Sequence, residues 1–167
     1  MRLSCLLLSL LPAVTLAATP AGGLDAIAVY AGSWQTQMHH LDTPYSKAGS
    51  ERTRLHNQCW RGQAFYACEQ VVDGKPVALV VFLQDKGHGG YVTHAIPADG
   101  GRASDGTLEI RGNRWTFPWQ FDDHGKTIHA RVVNVFHGRD AIDFRQEYSA
   151  DGEHWTAMAT GHETRVR

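Results

Sequence analysis

The chain has 167 residues, with 17 acidic against 16 basic side chains, ten histidines and three cysteines. A net charge of −1 with no basic stripe excludes the clustered cations that nucleic acid or an anionic membrane surface would require. Beyond the first residues nothing is apolar enough to cross a bilayer as a helix.

Residues 1–17 read as a secretory signal peptide. Arg2 supplies the positive start, Leu3 to Leu11 the apolar core, and Val14-Thr15-Leu16-Ala17 the small-residue end, with cleavage expected after Ala17 or one residue later. The core is too short to span a membrane, and Pro12 interrupts it. Cys5 precedes most of this run and is expected to leave with it; a lipidated or retained anchor is the alternative. The mature chain, without Arg2, carries fifteen basic and seventeen acidic residues, a net charge of −2. It is expected to be secreted, into the periplasm. At roughly 150 residues it is one domain's worth and large enough to bury its own core.

Residues 18–23 are a flexible lead-in, and 24–167 the folded domain. Leu24, Ile27, Ala28 and Ala31 share one helical face, and Gly32 stops the helix. From Trp34 the period becomes two. A polar loop spans 42–50. Strand-like segments then follow at 51–60, 64–72, 77–84, 91–96, 107–111, 114–121, 127–137, 141–149 and 155–166. Turn signals separate them: Asp73-Gly74, Gly87 to Gly90, Asp99-Gly100-Gly101, Asp105-Gly106, Gly112-Asn113, His124-Gly125, Gly138-Arg139 and Asp151-Gly152. Such a succession reads as an all-β, up-and-down antiparallel barrel of about eight to ten strands, with a short N-terminal helix. Closing the ring removes the exposed edges. The 77–83 segment is apolar on both faces, so cover is expected outside as well as inside, with the short helix as that cover or as a lid.

Cys59 and Cys68 face each other across a hairpin if its two-residue loop is Gln63-Ala64. In an oxidising compartment that pair is expected to form a disulfide. Two buried free thiols are the alternative.

The helical turn leading into Gly32-Ser33-Trp34, the hairpin succession, and the basic final strand ending in Arg165 and Arg167 resemble the calycin superfamily of lipocalins and fatty-acid-binding proteins. The pattern is most similar to uncharacterised secreted bacterial lipocalin-like domains. The resemblance implies a closed barrel. It also implies a structural role for Gly32, Trp34 and Arg165, with the arginine stacked on the tryptophan. The Arg-x-Tyr pair that holds carboxylates in fatty-acid-binding proteins is missing, because Arg145 and Tyr148 lie three apart and on opposite faces.

No catalytic motif stands out. Gly125-Lys126-Thr127 has Gln120 where a P-loop needs its leading glycine. Gly87-His88-Gly89-Gly90 reads as a hairpin loop. Ser149 to Trp155 resembles an Asp box but occurs once and is one residue short, so Ser149 and Asp151 are expected to bond the turn backbone. Neither His-x-His nor His-Glu-x-x-His occurs, so no metal site or cofactor is expected. A haem held by His162 is a remote alternative, and most histidines read as solvated surface.

The inward faces are more informative. Ile142, Phe144, Gln146 and Tyr148 alternate against Asp143, Arg145 and Glu147, and Ile128 to Phe136 alternate through Asn134. Asn134, Gln146 and Tyr148 are therefore polar groups among apolar neighbours, placed to orient a ligand's polar atoms. Trp119 and Phe121 are placed to form its apolar wall. The expected function is enclosure of a small apolar or amphipathic ligand. A filled barrel acting as a cell-envelope interaction module, and an enzyme of isomerase or hydrolase type, are the alternatives, the enzyme the less favoured. The sequence leaves the oligomeric state open.

Overall fold

In a computed structural model the described residues are 23–167, His88 excepted. The expected signal segment, most of the lead-in and His88 lie outside them. Among the described residues no helix is long and apolar enough to cross a membrane.

Ten antiparallel strands form one closed ring. They are β1 (Gly32–His40), β2 (Gly49–Arg61), β3 (Phe65–Val72), β4 (Lys75–Asp85), β5 (Gly90–Pro97), β6 (Ser104–Arg111), β7 (Arg114–Asp123), β8 (Lys126–His137), β9 (Ala141–Ser149) and β10 (Thr156–Val166). Each pairs with the next, and β1 pairs with β10 from Ser33↔Val166 to His40↔Ala159. The barrel is therefore up-and-down.

A seven-residue 3-10 helix, Leu24–Tyr30, precedes β1. It does not cover the outer face of β4, as the apolar run there had suggested. Its buried Leu24 and Ile27 and its Tyr30 join Tyr91, Leu108, Trp115 and Phe136 in the core, so the helix plugs one end of the barrel. The interior offers it more apolar contact than the outer wall does. Val77, Trp60 and Ile96 consequently remain 42%, 44% and 45% exposed.

Two glycines are fixed by geometry. Gly32 has φ +110°, and a Cβ there would sit 2.8 Å from Arg165 Nη1. At Gly161 a side chain would collide with the Phe144 ring and approach the Gln37 carbonyl to 2.7 Å. Gly106 differs from its reading as a turn. It lies within β6, opposite Thr93, whose hydroxyl would be 2.9 Å from any Cβ. The neighbouring Asp105 side chain binds His94 at 2.6 Å on the outer wall.

Cys59 and Cys68 are direct ladder partners, joined by a disulfide with Cα atoms 4.0 Å apart. The loop is the two-residue Gln63-Ala64, closed by Gly62 N–H donating to the Phe65 carbonyl at 2.9 Å.

Candidate functional site: an open cup at one end of the barrel

Burial along the inner wall is graded. At the helix end Trp34, Tyr66, Phe82, Tyr91, Trp115 and Ile142 are buried. Towards the other end Met38, Thr53, Gln70, Val80 and Ala95, all inward by register on β1 to β5, are only half-buried, whereas Ile128 and Ala130 on β8 stay covered. On β7 the contrast falls within one strand: Trp115 is 1% exposed and Trp119, on the same face, 41%. A large aromatic that points inward and still meets solvent marks an unfilled interior. The barrel is a cup, with the helix as its floor.

The floor is knitted by hydrogen bonds. The Tyr91 hydroxyl donates to the Gly23 carbonyl at 2.6 Å. Trp34 Nε1 and Asn57 Nδ2 both donate to the Tyr30 carbonyl, at 3.0 and 3.1 Å. The Tyr30 ring enters the barrel edge-on to Trp115 and Phe136, and burial pushes its phenol pKa well above the ordinary value.

The mouth opens between the 41–48 loop and the turns after β7 and β9. An open cavity of about 600 Å³ lies there, within the ~300–1,000 Å³ usual for small-molecule sites. Phe121, Gln146 and Met158 supply its wall, and His40, Tyr45, Ser46 and Lys47 its rim. His40 Nε2 lies 3.5 Å from Glu51. Lys47 lies 3.4 Å from Asp42.

The 41–48 segment is more than a polar loop. Thr43 and Ser46 form a β-bridge, and Ser46 Oγ donates to the Leu41 carbonyl at 2.5 Å. That folds the loop as a flap whose Tyr45 reaches across the mouth. The Tyr45 ring meets Phe121 and Tyr148 edge-on, with centroids 5.1 and 4.8 Å away. Its hydroxyl donates to Asp123 at 2.8 Å. This bond, more than burial, raises the Tyr45 pKa.

The sequence-derived site residues divide accordingly. Phe121, Gln146 and Tyr148 come together at the mouth. Trp119 stands in one ladder row with Ala130 and Tyr148. Asn134 lies on the floor side, where its Nδ2 donates to the Tyr30 hydroxyl at 2.8 Å. Sequence reading missed Tyr45. Its position in a Pro- and Gly-bounded polar stretch carries no periodicity, so only the fold reveals what it faces.

Other polar groups sit on the outer wall. His162 points away from the interior and binds Asp143 at 2.6 Å, while His137 binds the other Asp143 oxygen at 2.8 Å. These two bonds hold the Asp143 carboxyl below its usual range. A proximal role for His162 inside the barrel is thereby removed, since a side chain cannot occupy both faces of its strand. Among the described residues no group of three or more His, Cys, Asp or Glu side chains could hold a metal ion. Glu147 is outward, as its alternation requires, yet only 6% exposed. Arg131 donates to it at 2.6 Å, and the Arg131 guanidinium lies 3.7 Å from the Trp155 ring centre. In the Ser149–Trp155 turn, Asp151 binds the backbone N–H and the ring Nδ1 of His154, and accepts from the Glu153 N–H and the Ser149 hydroxyl. Those bonds drive its pKa far down.

The geometry can be set beside known proteins. No family model and no curated protein matches the chain. A solved structure does. The chain is similar in fold to Rv2717c from M. tuberculosis, whose crystal structure it matches with a TM-score of 0.51. The alignment covers 86% of this chain and 97% of that one, at 16% sequence identity. At that identity Rv2717c speaks for the barrel alone.

Proposed function

We propose that the protein is a periplasmic binder that encloses a small, partly apolar ligand in its cup, without covalent chemistry. The observation carrying this reading is the graded inner wall: a floor sealed by aromatic packing and a mouth where Trp119 and Phe121 face open space. Gln146 and Tyr148 orient the ligand just inside the mouth, Trp119 and Phe121 flank its body, and Asn134 steadies the floor through Tyr30. The flap over the mouth, latched by Tyr45, restricts exchange. The Cys59–Cys68 disulfide is compatible with an oxidising compartment.

The test is native mass spectrometry of the protein purified from its own host. The expected result is a reproducible extra mass, lost on denaturation and recovered in the organic extract. A bare protein under every gentle preparation, together with no uptake from a library of amphiphiles, would count against the proposal.

The outer apolar strip supports a second reading, as an envelope interaction module. Trp60, Val77 and Ile96 are exposed around β4, on a face that no element covers among the described residues. Its mark would be self-association or partner capture that Trp60→Ser abolishes while leaving ligand uptake intact.

A further inference from the structure

Inside the cup one ladder row differs chemically from the rest. It runs Phe136–Ile142–Glu163–Thr36–Thr53 across β8, β9, β10, β1 and β2. Glu163 is therefore inward, flanked by Ile142 on one side and Thr36 on the other. The Thr36 hydroxyl donates to its Oε1 at 3.2 Å. Thr53 adds a second inward hydroxyl to the row. Among the described residues no Lys, Arg or His forms an ion pair with Glu163, whereas the outward Glu147 has two arginines.

A carboxyl in such a place is costly, because burial without a cationic partner disfavours its charged form. Desolvation indeed raises the Glu163 pKa, against the lowering pull of the Thr36 bond and of His162. Glu163 is nevertheless half-buried and not sealed, and an inward residue can show its free surface only to the barrel interior. The other charged group at this depth, Arg165, cannot answer it. Its guanidinium is stacked on Trp34 and donates to the Val29 and Ala31 carbonyls at 2.7 and 2.5 Å.

We infer that Glu163, seconded by Thr36, is the contact for the ammonium group of an amphipathic amine whose apolar body lies against the aromatic wall towards the mouth. The inference rests on the cup being a ligand site and names the ligand's chemistry. A cation supplies the partner that the carboxyl lacks, and charge-assisted hydrogen bonds in a site of low dielectric discriminate strongly. A fatty acid would set two carboxylates side by side with no cation between them, so the same wall rejects it.

The test compares a primary alkyl amine with the alcohol and the carboxylic acid of the same chain length. Binding is measured by isothermal titration calorimetry on the mature, oxidised protein and on Glu163→Gln. The expected order is amine, then alcohol, then acid, with the amine about tenfold or more ahead of the alcohol. In Glu163→Gln the amine loses that lead while the alcohol keeps its affinity, which also shows that the variant is folded. Glu163→Asp withdraws the carboxyl by one methylene and serves as the second variant, with a reduced amine lead. Acid binding equal to amine, or an amine lead untouched in both variants, overturns the assignment and leaves the cup standing. Failure of all three compounds to bind removes the cup reading and this inference with it.

Discussion

The Arg165 guanidinium lies 4.1 Å from the centre of the Trp34 ring. The two residues are ladder partners on β10 and β1, so this contact is made across the seam that closes the barrel. The same guanidinium ties the end of the 3-10 helix through Val29 and Ala31, and the β8–β9 turn through the Arg139 carbonyl at 2.8 Å. One side chain thus joins seam, plug and turn. Arg165→Ala should cost about 3 kcal/mol or more, since charged hydrogen bonds and a stacked cation are lost together. Arg165→Lys should recover little, because an ammonium cannot reproduce the planar fork. Urea denaturation of the three proteins decides this, and a lysine variant as stable as the parent would refute it.

The disulfide closes a short loop, its cysteines nine apart in sequence. Its removal should lower stability by about 2–3 kcal/mol without changing the fold. Denaturation midpoints with and without reductant, read beside far-UV circular dichroism, check both parts. Loss of the β signal on reduction would show that the bridge holds the fold itself.

The buried outer ion pair gives a sharper expectation. Glu147→Ala leaves Arg131 uncompensated beneath Trp155 and should cost about 3 kcal/mol. A loss under about 1 kcal/mol, the range of exposed pairs, would mean that solvent reaches the cluster. Chemical denaturation distinguishes the two.

For Glu163 the sign of the pH dependence follows from its raised pKa, with burial as the leading cause. The folded state holds this proton more tightly than the unfolded chain does. The resulting stabilisation is fully present below the unfolded value of about 4.3 and is lost as pH rises through the folded value. Glu163→Gln should therefore gain thermal stability over the parent as pH increases from acid to neutral. Parallel melting-temperature profiles for the two proteins would contradict this. Asp143 works the other way. Its lowered pKa, due first to His162 and then to His137, contributes stability above the unfolded carboxyl value that is lost as pH falls through the folded one. The variant Asp143→Asn should accordingly flatten the acid limb of the curve.

Tyr45 offers a test of the flap. Removing its ring in Tyr45→Ala frees the 41–48 segment from Phe121, Tyr148 and Asp123. Limited proteolysis should then cut within that segment several times faster, with global stability lowered by only about 1 kcal/mol. Unchanged cleavage would show that the Thr43–Ser46 bridge alone fixes the loop.

Much of this architecture was legible in the residues. Alternation and glycine-bearing turns gave the strand count and the up-and-down order, because a two-residue period leaves few other ways to bury one face. Hairpin arithmetic placed Cys59 opposite Cys68. What stayed hidden depends on closure. Alternation says that Trp119 and Trp115 share a face, but the depth of a plug decides which of them is covered. The run at 77–83 looked sandwiched, and only the ring shows that the helix prefers the inside of the barrel. Glu163 lay in a strand read as basic and terminal. Its inward position follows from the register between β10 and β1, whose Thr36 and Glu163 are 127 residues apart. Local pattern carries no information about such a pairing.

That distance bears on the birth of the molecule. The strand that completes the circle, β10, follows the other nine in sequence, and its partner β1 precedes them. Until β10 is in place, the sheet keeps two raw edges and Trp34 has no arginine to rest on. Contacts so remote in sequence also form slowly once the chain is free. Closure of the ring is consequently the step on which the finished shape waits.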